Sequence, residues 1–520
     1  MTGPGELDVV VVGAGIGGLS TALRLAGVGA SVRVFDKGAR PGGKMRVVEV
    51  AGQRVDAGPT VLTMRTVFDD LFASAGLRLE DRVRLQALEV IGRHGWTDGT
   101  RLDLHATVEG SAEAIGEVFG RRAADAFVRF SHHARDVHAR VEQPFIHGRG
   151  AGIASMLRAA GWSAAAGLLR VDWHRTLWRA LRSFFDEPKL IQLFGRYATY
   201  YGSSPFEAPA TLAVIAHVEQ CGVWAVDGGM IGLADAIGEA LREAGVELCQ
   251  DTEVTEILVE GGRACGVRLA DGTRVPARAV VANCDPRALQ QGMLGEALRP
   301  AVRSSSRAPR SLSAMTWCMA GRPVGFDLSF HNVFFSDDYV AEFEALQAGR
   351  LPEQPTVYVC ASDRGPFTAP NGSERLMCLV NAPALADAED FTRETQTCQH
   401  RMNEQLRRCG LQIEAPPSQM VVTTPNDFDR MFPGSGGALY GPATHGATAP
   451  FARPGSRTSI PGLYLAGAGV HPGAGVPMAA LSGRAAALAV TEDHPSMRRF
   501  PRADTYGGTS MGSATTVDTR

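Results

Sequence analysis

Two glycine-rich turns at opposite ends of the chain constrain its fold more than any other feature. Near the N-terminus, Leu7 to Leu25 reads LDVVVVGAGIGGLSTALRL, where an apolar run (Val9 to Val12) feeds Gly13-x-Gly15-x-x-Gly18 and a helical pattern carrying Ala22. Near the C-terminus, Pro461 to Arg484 reads PGLYLAGAGVHPGAGVPMAALSGR, again a strand, a glycine-rich turn and a small-residue helix. A turn of this kind offers backbone N–H groups and the positive end of a helix to an anion. About 450 residues lie between the two turns, so both ends of the chain are expected to fold onto one nucleotide-type cofactor.

In the first turn Gly13 permits a tight reversal, Gly15 lets a pyrophosphate approach the backbone, and Gly18 with Ala22 lets the helix pack closely on its strand; Gly17 belongs to the same turn. A second β-run, Ser31 to Phe35, ends at Asp36 and Lys37, and an acid about 20 residues on is placed to accept ribose hydroxyls. The aspartate side chain can accept two such hydrogen bonds. Arg40-Pro41-Gly42-Gly43-Lys44 then supplies a paired glycine and a cation that an NAD site does not need, and the Gly467, Gly469 and Gly473 spacing fits no second NAD(P) fingerprint. In these features the chain resembles the glutathione-reductase-like and amine-oxidase-like FAD proteins. The resemblance implies FAD, with Gly43 beside the cofactor and Lys44 near its phosphates. The expected fold class is α/β: a Rossmann-like FAD-binding domain of the glutathione-reductase/amine-oxidase type with an inserted α+β substrate domain.

A chain of 520 residues is too long for one compact core. Cofactor-type sequence recurs in three segments, 1–85, 226–286 and 426–495, with substrate-domain segments at 86–225 and 287–425 and a Gly/Ser/Thr-rich tail at 496–520 expected to be disordered. The first segment includes Gly58-Pro59-Thr60 in a loop after a short strand. The second holds a helix and antiparallel strands with Gly261-Gly262 and Asp271-Gly272 as hairpin turns, Val254 being its cofactor candidate. A net charge of −3 gives no support for a nucleic-acid partner. Nine cysteines without a CxxC pair read as reduced, packed thiols, with neither a disulfide framework nor a zinc site. Glu6 and Asp8 precede the first strand without a basic region, so no secretory leader is expected. The longest stretch free of charge contains Pro461 to Gly483, which carries three prolines and six glycines and cannot be a transmembrane helix.

From Phe145 to Arg182, six arginines (Arg149, Arg158, Arg170, Arg175, Arg179, Arg182) face a single Asp172 and interleave with Trp162, Trp173 and Trp178. Leu177, Trp178, Leu181, Phe184 and Phe185 recur at helical spacing. Such a helix could lie in a membrane interface or pack its stripe into a protein core.

GPTVLT (Gly58 to Thr63), MFPGSGGALYG (Met431 to Gly441) and GLYLAGAGVHPGAGVPMAALSGR (Gly462 to Arg484) are similar to the bacterial phytoene-desaturase type of carotenoid oxidoreductase, over nearly the whole chain. RYATYYGSSPFEAPATLAVIAHVEQCGVWAVDGGM (Arg196 to Met230) most resembles its 1-hydroxycarotenoid 3,4-desaturase (methoxyneurosporene dehydrogenase) branch. The resemblance implies removal of two vicinal hydrogens from a C–C bond beside a polyene, with a carotenoid drawn from the membrane, oxygen or quinone as electron acceptor, and a cytoplasmic protein held peripherally at the inner membrane. Gly467, Ala468, Val476 and Met478 are then the flavin contacts at the C-terminal end. No catalytic base is assigned: His217, Glu219 and His471 are candidates by type alone. Tyr200, Tyr201, Ser203, Ser204 and His217 are the polar groups expected near an oxygenated substrate end. The same fold would serve another carotene desaturase, an amine oxidase with an aromatic cage, or a non-catalytic lipid-escort protein of the Rab-escort type.

Overall fold

A computed structural model describes residues 7–142, 172, 174–302, 309–385, 390–446 and 449–499. The N-terminal valine run forms the strand Leu7–Val12, in which Val9, Val10 and Val11 are fully buried. Burial on both faces is what a central parallel strand requires. Its neighbours are Val32–Phe35 on one side and Arg274–Ala282 on the other, both parallel, with Val10 opposite Val280 and Val11 opposite Val34. Glu247–Cys249 extends the sheet beyond Val32–Phe35, and Leu463–Leu465 pairs in parallel with the end of Arg274–Ala282. The strands Val254–Glu260 and Arg263–Leu269 continue it as antiparallel hairpins, as the alternation and glycine turns predict. One sheet thus collects strands from both ends and the middle of the chain.

Three helices cover a face of this sheet: Ile16–Gly27, Ile231–Glu243 and Val476–Asp493. The first and last touch through glycine. A Cβ on Gly483 would stand 2.4 Å from the carbonyl oxygen of Gly17, so only hydrogen fits there. Ser20 Oγ donates to the carbonyl of Ala480 at 2.9 Å and Thr21 Oγ1 to that of Gly483 at 3.2 Å. These contacts bring the two glycine turns side by side.

The second sheet is built on Ser313–Val324, whose residues 313–321 are buried throughout. It pairs antiparallel with Glu374–Ala382, followed by Val357–Ala361, His331–Phe334, Val90–Gly95 and Arg101–His105; Gln412–Glu414 and Met420–Thr423 flank the other edge. Met315, Trp317 and Met319 enter one core, while the alternate residues Thr316 and Cys318 face the other side, Cys318 beside Val55 and Ala57, as a period of two dictates.

The stripe from Leu177 to Phe185 is a core element, contrary to its interfacial reading. The helix there is a single turn, Leu177–Leu181, started by the Thr176 side chain and followed by a new helix from Pro188. Leu177, Leu181 and Phe185 are buried, Phe185 packing 5.3 Å from the ring of Phe130 and 5.2 Å from that of Phe194. Arg179 and Arg182 point to solvent. Arg149, Arg158, Trp162, Arg170 and Trp173 lie outside the described residues, as do residues 500–520 of the tail. No helix among the described residues is long and apolar enough to cross a membrane, and all nine cysteines are free thiols.

Candidate functional site

Between the two sheets lies a cavity of about 690 Å³. Of the residues expected at the cofactor, Gly13, Gly15, Gly17, Asp36, Lys37, Gly43, Lys44, Gly58, Pro59, Thr60, Val254, Gly467, Ala468 and Val476 line it. Gly18 and Met478 do not. A Cβ on Gly18 would meet the Gly13 carbonyl at 2.1 Å, so this glycine serves helix–strand packing, and Met478 packs against the core under the sheet.

The glycine turn fits a bulky anionic ligand. Gly13 adopts φ +100°, a conformation costly for any residue with a Cβ. The helix Ile16–Gly27 begins at Gly15 without a side-chain cap, leaving its first N–H groups to face the cavity. Asn283, at the end of Arg274–Ala282, ties the parts together. Its Nδ2 donates to the Gly13 carbonyl at 3.1 Å, and Cβ atoms on Gly13, Gly15, Gly17 or Gly467 would each lie 2.7–2.9 Å from it. Asp36 holds the turn as well as facing the cavity: one carboxylate oxygen accepts from the Ala14 N–H at 2.5 Å and the other from the Gly38 N–H at 2.7 Å. Each oxygen retains a lone pair for a ribose.

Lys44 leaves the paired-glycine turn and donates from Nζ to the carbonyl of Leu439 at 2.6 Å, lying 5.4 Å over the Phe432 ring. Its cation thus bridges to the MFPGSGGALYG segment. Burial pushes its pKa down to about 8, with Asp285 opposing and Arg310 and Arg453 reinforcing the shift. Asp285 is paired with Arg310 at 2.5 Å. Arg453, 3% exposed, donates to the carbonyls of Tyr440, Ala468 and Pro442 at 2.7–3.0 Å, and burial lowers its pKa to about 10. It clamps the segment around Tyr440 onto the C-terminal glycine turn.

The cavity also has apolar walls, Val333, Tyr339, Met377 and Leu379 among them. Three polar clusters border it. The Tyr358 hydroxyl lies 2.6 Å from Thr60 Oγ1 and 2.7 Å from His331 Nδ1, and burial drives His331 down to about 3, so its ring is neutral. Thr356 and Ser336 both donate to Glu342 Oε2 at 2.7 Å; burial raises that carboxyl to about 7. Tyr197 and Tyr200 each donate to one oxygen of Glu219, at 2.7 and 2.5 Å. Arg196 stacks over both tyrosine rings, 5.8 and 5.2 Å from their centres. Burial opposes its charge, but Tyr200, Glu219 and Tyr197 overcome that and hold its pKa above the ordinary value.

Of the residues weighed by type, Tyr200 alone among Tyr200, Tyr201, Ser203, Ser204 and His217 lines the cavity. Ser203 Oγ accepts from the Thr444 N–H at 2.9 Å and Ser204 Oγ from that of Phe206 at 3.2 Å. His217 packs 5.0 Å from His138 and 3.5 Å from Cys221 Sγ, away from the cavity, and His471 is buried without lining it. Asn283, Asp285, Arg310, Arg453, Tyr358 and Glu342 were not foreseen. An amide and an acid just after the buried strand ending VVA were the signal for Asn283 and Asp285.

A family model described as flavin containing amine oxidoreductase matches residues 16–491. The hydroxyneurosporene desaturase of Rubrivivax gelatinosus is 48% identical over 98% of this chain and 98% of its own. That of Cereibacter sphaeroides is 44% identical over 94% of this chain and 99% of its own. Among solved structures, an oxidoreductase from Methanosarcina mazei superposes with a TM-score of 0.57 at 17% identity, covering 94% of this chain and 100% of that one, a likeness of fold.

Proposed function

The chain belongs to the flavin-containing amine oxidoreductase family, and we propose that it is a FAD-dependent carotenoid desaturase that introduces a C3–C4 double bond into 1-hydroxy- or 1-methoxycarotenoids such as 1-hydroxyneurosporene. The observation that carries this is the 48% identity to a hydroxyneurosporene desaturase along essentially the whole of both chains. FAD held in the cavity would supply the two-electron oxidising power for removing the two vicinal hydrogens on C3 and C4, where the neighbouring polyene delocalises the developing charge.

The chain's own residues bind, orient and exclude water. The Gly13–Gly18 turn and the uncapped helix start receive the diphosphate, Asp36 receives the ribose, and Gly43, Gly58, Pro59, Thr60, Gly467, Ala468 and Val476 flank the rest of the cofactor. The cradle fits the group: Cβ atoms at Gly15, Gly17 and Gly467 would fill the space that Asn283 and the two backbones leave. The helix from Val476 directs its positive end at the cavity, favouring negative charge there. Val333, Tyr339, Met377 and Leu379 take the hydrocarbon. Substrate reaches the cavity from a membrane surface, and oxygen or a quinone removes the electrons.

Incubating the holoprotein and liposomes with 1-hydroxyneurosporene, neurosporene and phytoene separately tests this reading. Product absorption maxima report the bonds oxidised; turnover of 1-hydroxyneurosporene well above neurosporene, with little on phytoene, is expected. Efficient conversion of phytoene to coloured products would refute the substrate assignment.

A further inference from the structure

We infer that Arg196 recognises the substrate's oxygenated end, donating hydrogen bonds to the tertiary oxygen on C1. The inference rests on the substrate reading above and deepens it. Arg196 and Tyr200 both line the cavity, but the Tyr200 proton is engaged by Glu219 at 2.5 Å, and so is that of Tyr197 at 2.7 Å. The Tyr358 hydroxyl is bracketed by Thr60 and His331, and that of Thr356 by Ser336 and Glu342. Arg196 is different. Its one side-chain hydrogen bond among the described residues, from Nη1 to the Tyr200 oxygen, is a long 3.5 Å, and its buried Nε has no hydrogen-bond partner there. A guanidinium carries five donors and no acceptor.

The tyrosine rings and Glu219 behind them hold this cation in place, so its unused donors are preorganised. Position agrees with the chemistry. Only the C2 methylene separates the oxygen-bearing carbon from the C3–C4 bond, so the recognising group must stand close to the reaction, and Arg196 shares the cavity with Gly58, Pro59 and Thr60.

A group that only donates has a distinctive consequence. It accepts an ether oxygen as readily as an alcohol, whereas a carboxylate such as Glu219 or Glu342 would require the hydroxyl proton. A hydrocarbon end leaves the buried donors unpaired and is rejected.

The test uses FAD-loaded enzyme and liposomes carrying 1-hydroxyneurosporene, 1-methoxyneurosporene or neurosporene. For the native enzyme, kcat/KM for hydroxy and methoxy substrates should agree within about tenfold and both exceed the hydrocarbon by about 10- to 100-fold, the worth of a hydrogen bond to a charged group. Arg196→Met should collapse that ratio, while Thr316→Val, which removes the buried, unpartnered hydroxyl of another cavity-lining residue, should retain it. A methoxy substrate treated like the hydrocarbon would overturn the inference without any variant. So would an Arg196→Met enzyme that keeps its flavin and its preference, or a preference lost in Thr316→Val instead. Failure of the underlying reading looks different: the native enzyme would then leave 1-hydroxyneurosporene unchanged.

Discussion

Replacing Gly483 with alanine tests whether glycine contact between the terminal helices assembles the cofactor cradle. The added Cβ would lie 2.4 Å from the Gly17 carbonyl oxygen, 2.9 Å from Ser20 Cβ and 3.0 Å from the Thr21 nitrogen. Ordinary van der Waals contact begins at 3.4 Å, so the helices must part by about 1 Å. Two of the three obstructing atoms are backbone, so no rotamer change relieves them. Overpacking of this kind costs about 1–3 kcal/mol, and the Ser20–Ala480 and Thr21–Gly483 hydrogen bonds stretch with it. A net loss near 3 kcal/mol, and a thermal midpoint several degrees lower, is expected. Gly17 lines the cavity and its backbone moves with the helix, so flavin bound per polypeptide should fall too. Gly455→Ala is the control, having nothing within 4 Å of its Cβ. A Gly483→Ala protein that melts with the control and carries full flavin would show that the reasoning is wrong.

Two further predictions concern the substrate half. Glu342 titrates near 7 when folded and near 4.5 when unfolded, so between those values the folded state holds a proton the unfolded chain has lost. Stability should therefore fall as pH rises through that window; in urea titrations Glu342→Gln should remove the slope, and an unchanged slope would count against the burial argument. Phe185→Ala, which empties a site between Phe130 and Phe194, should cost about 3–5 kcal/mol, read by circular dichroism melting. A stable Phe185→Ala protein that has lost liposome binding would restore the interfacial reading.

The cofactor half was legible in the chain because its determinants are local. Gly13, Gly15 and Gly18 act on their own turn, the valine run declares a buried strand, and Asp36 follows at a set distance. The hairpins around Gly261-Gly262 and Asp271-Gly272 are local for the same reason. The stripe of Leu177, Leu181 and Phe185 was ambiguous because periodicity shows that a face is apolar but not whether protein or lipid covers it; Phe130 and Phe194, distant in sequence or on the next helix, decided for protein. Asn283 became part of the glycine turn only when its strand paired with Leu7–Val12. Arg453 reached Ala468 and Tyr440 only when their loops met. Arg196 belongs with these. Next to Tyr197 in sequence it is one arginine among many, and the fold made it distinct by bringing Glu219 to take both tyrosine protons while leaving the guanidinium one long bond from Nη1 and an unpartnered Nε among the described residues. Sequence by itself determined the backbone conformations that one turn or strand can enforce. Which hydrogen-bonding groups remain unsatisfied in a shared cavity depends on every segment that reaches it, and that was decided by tertiary structure alone.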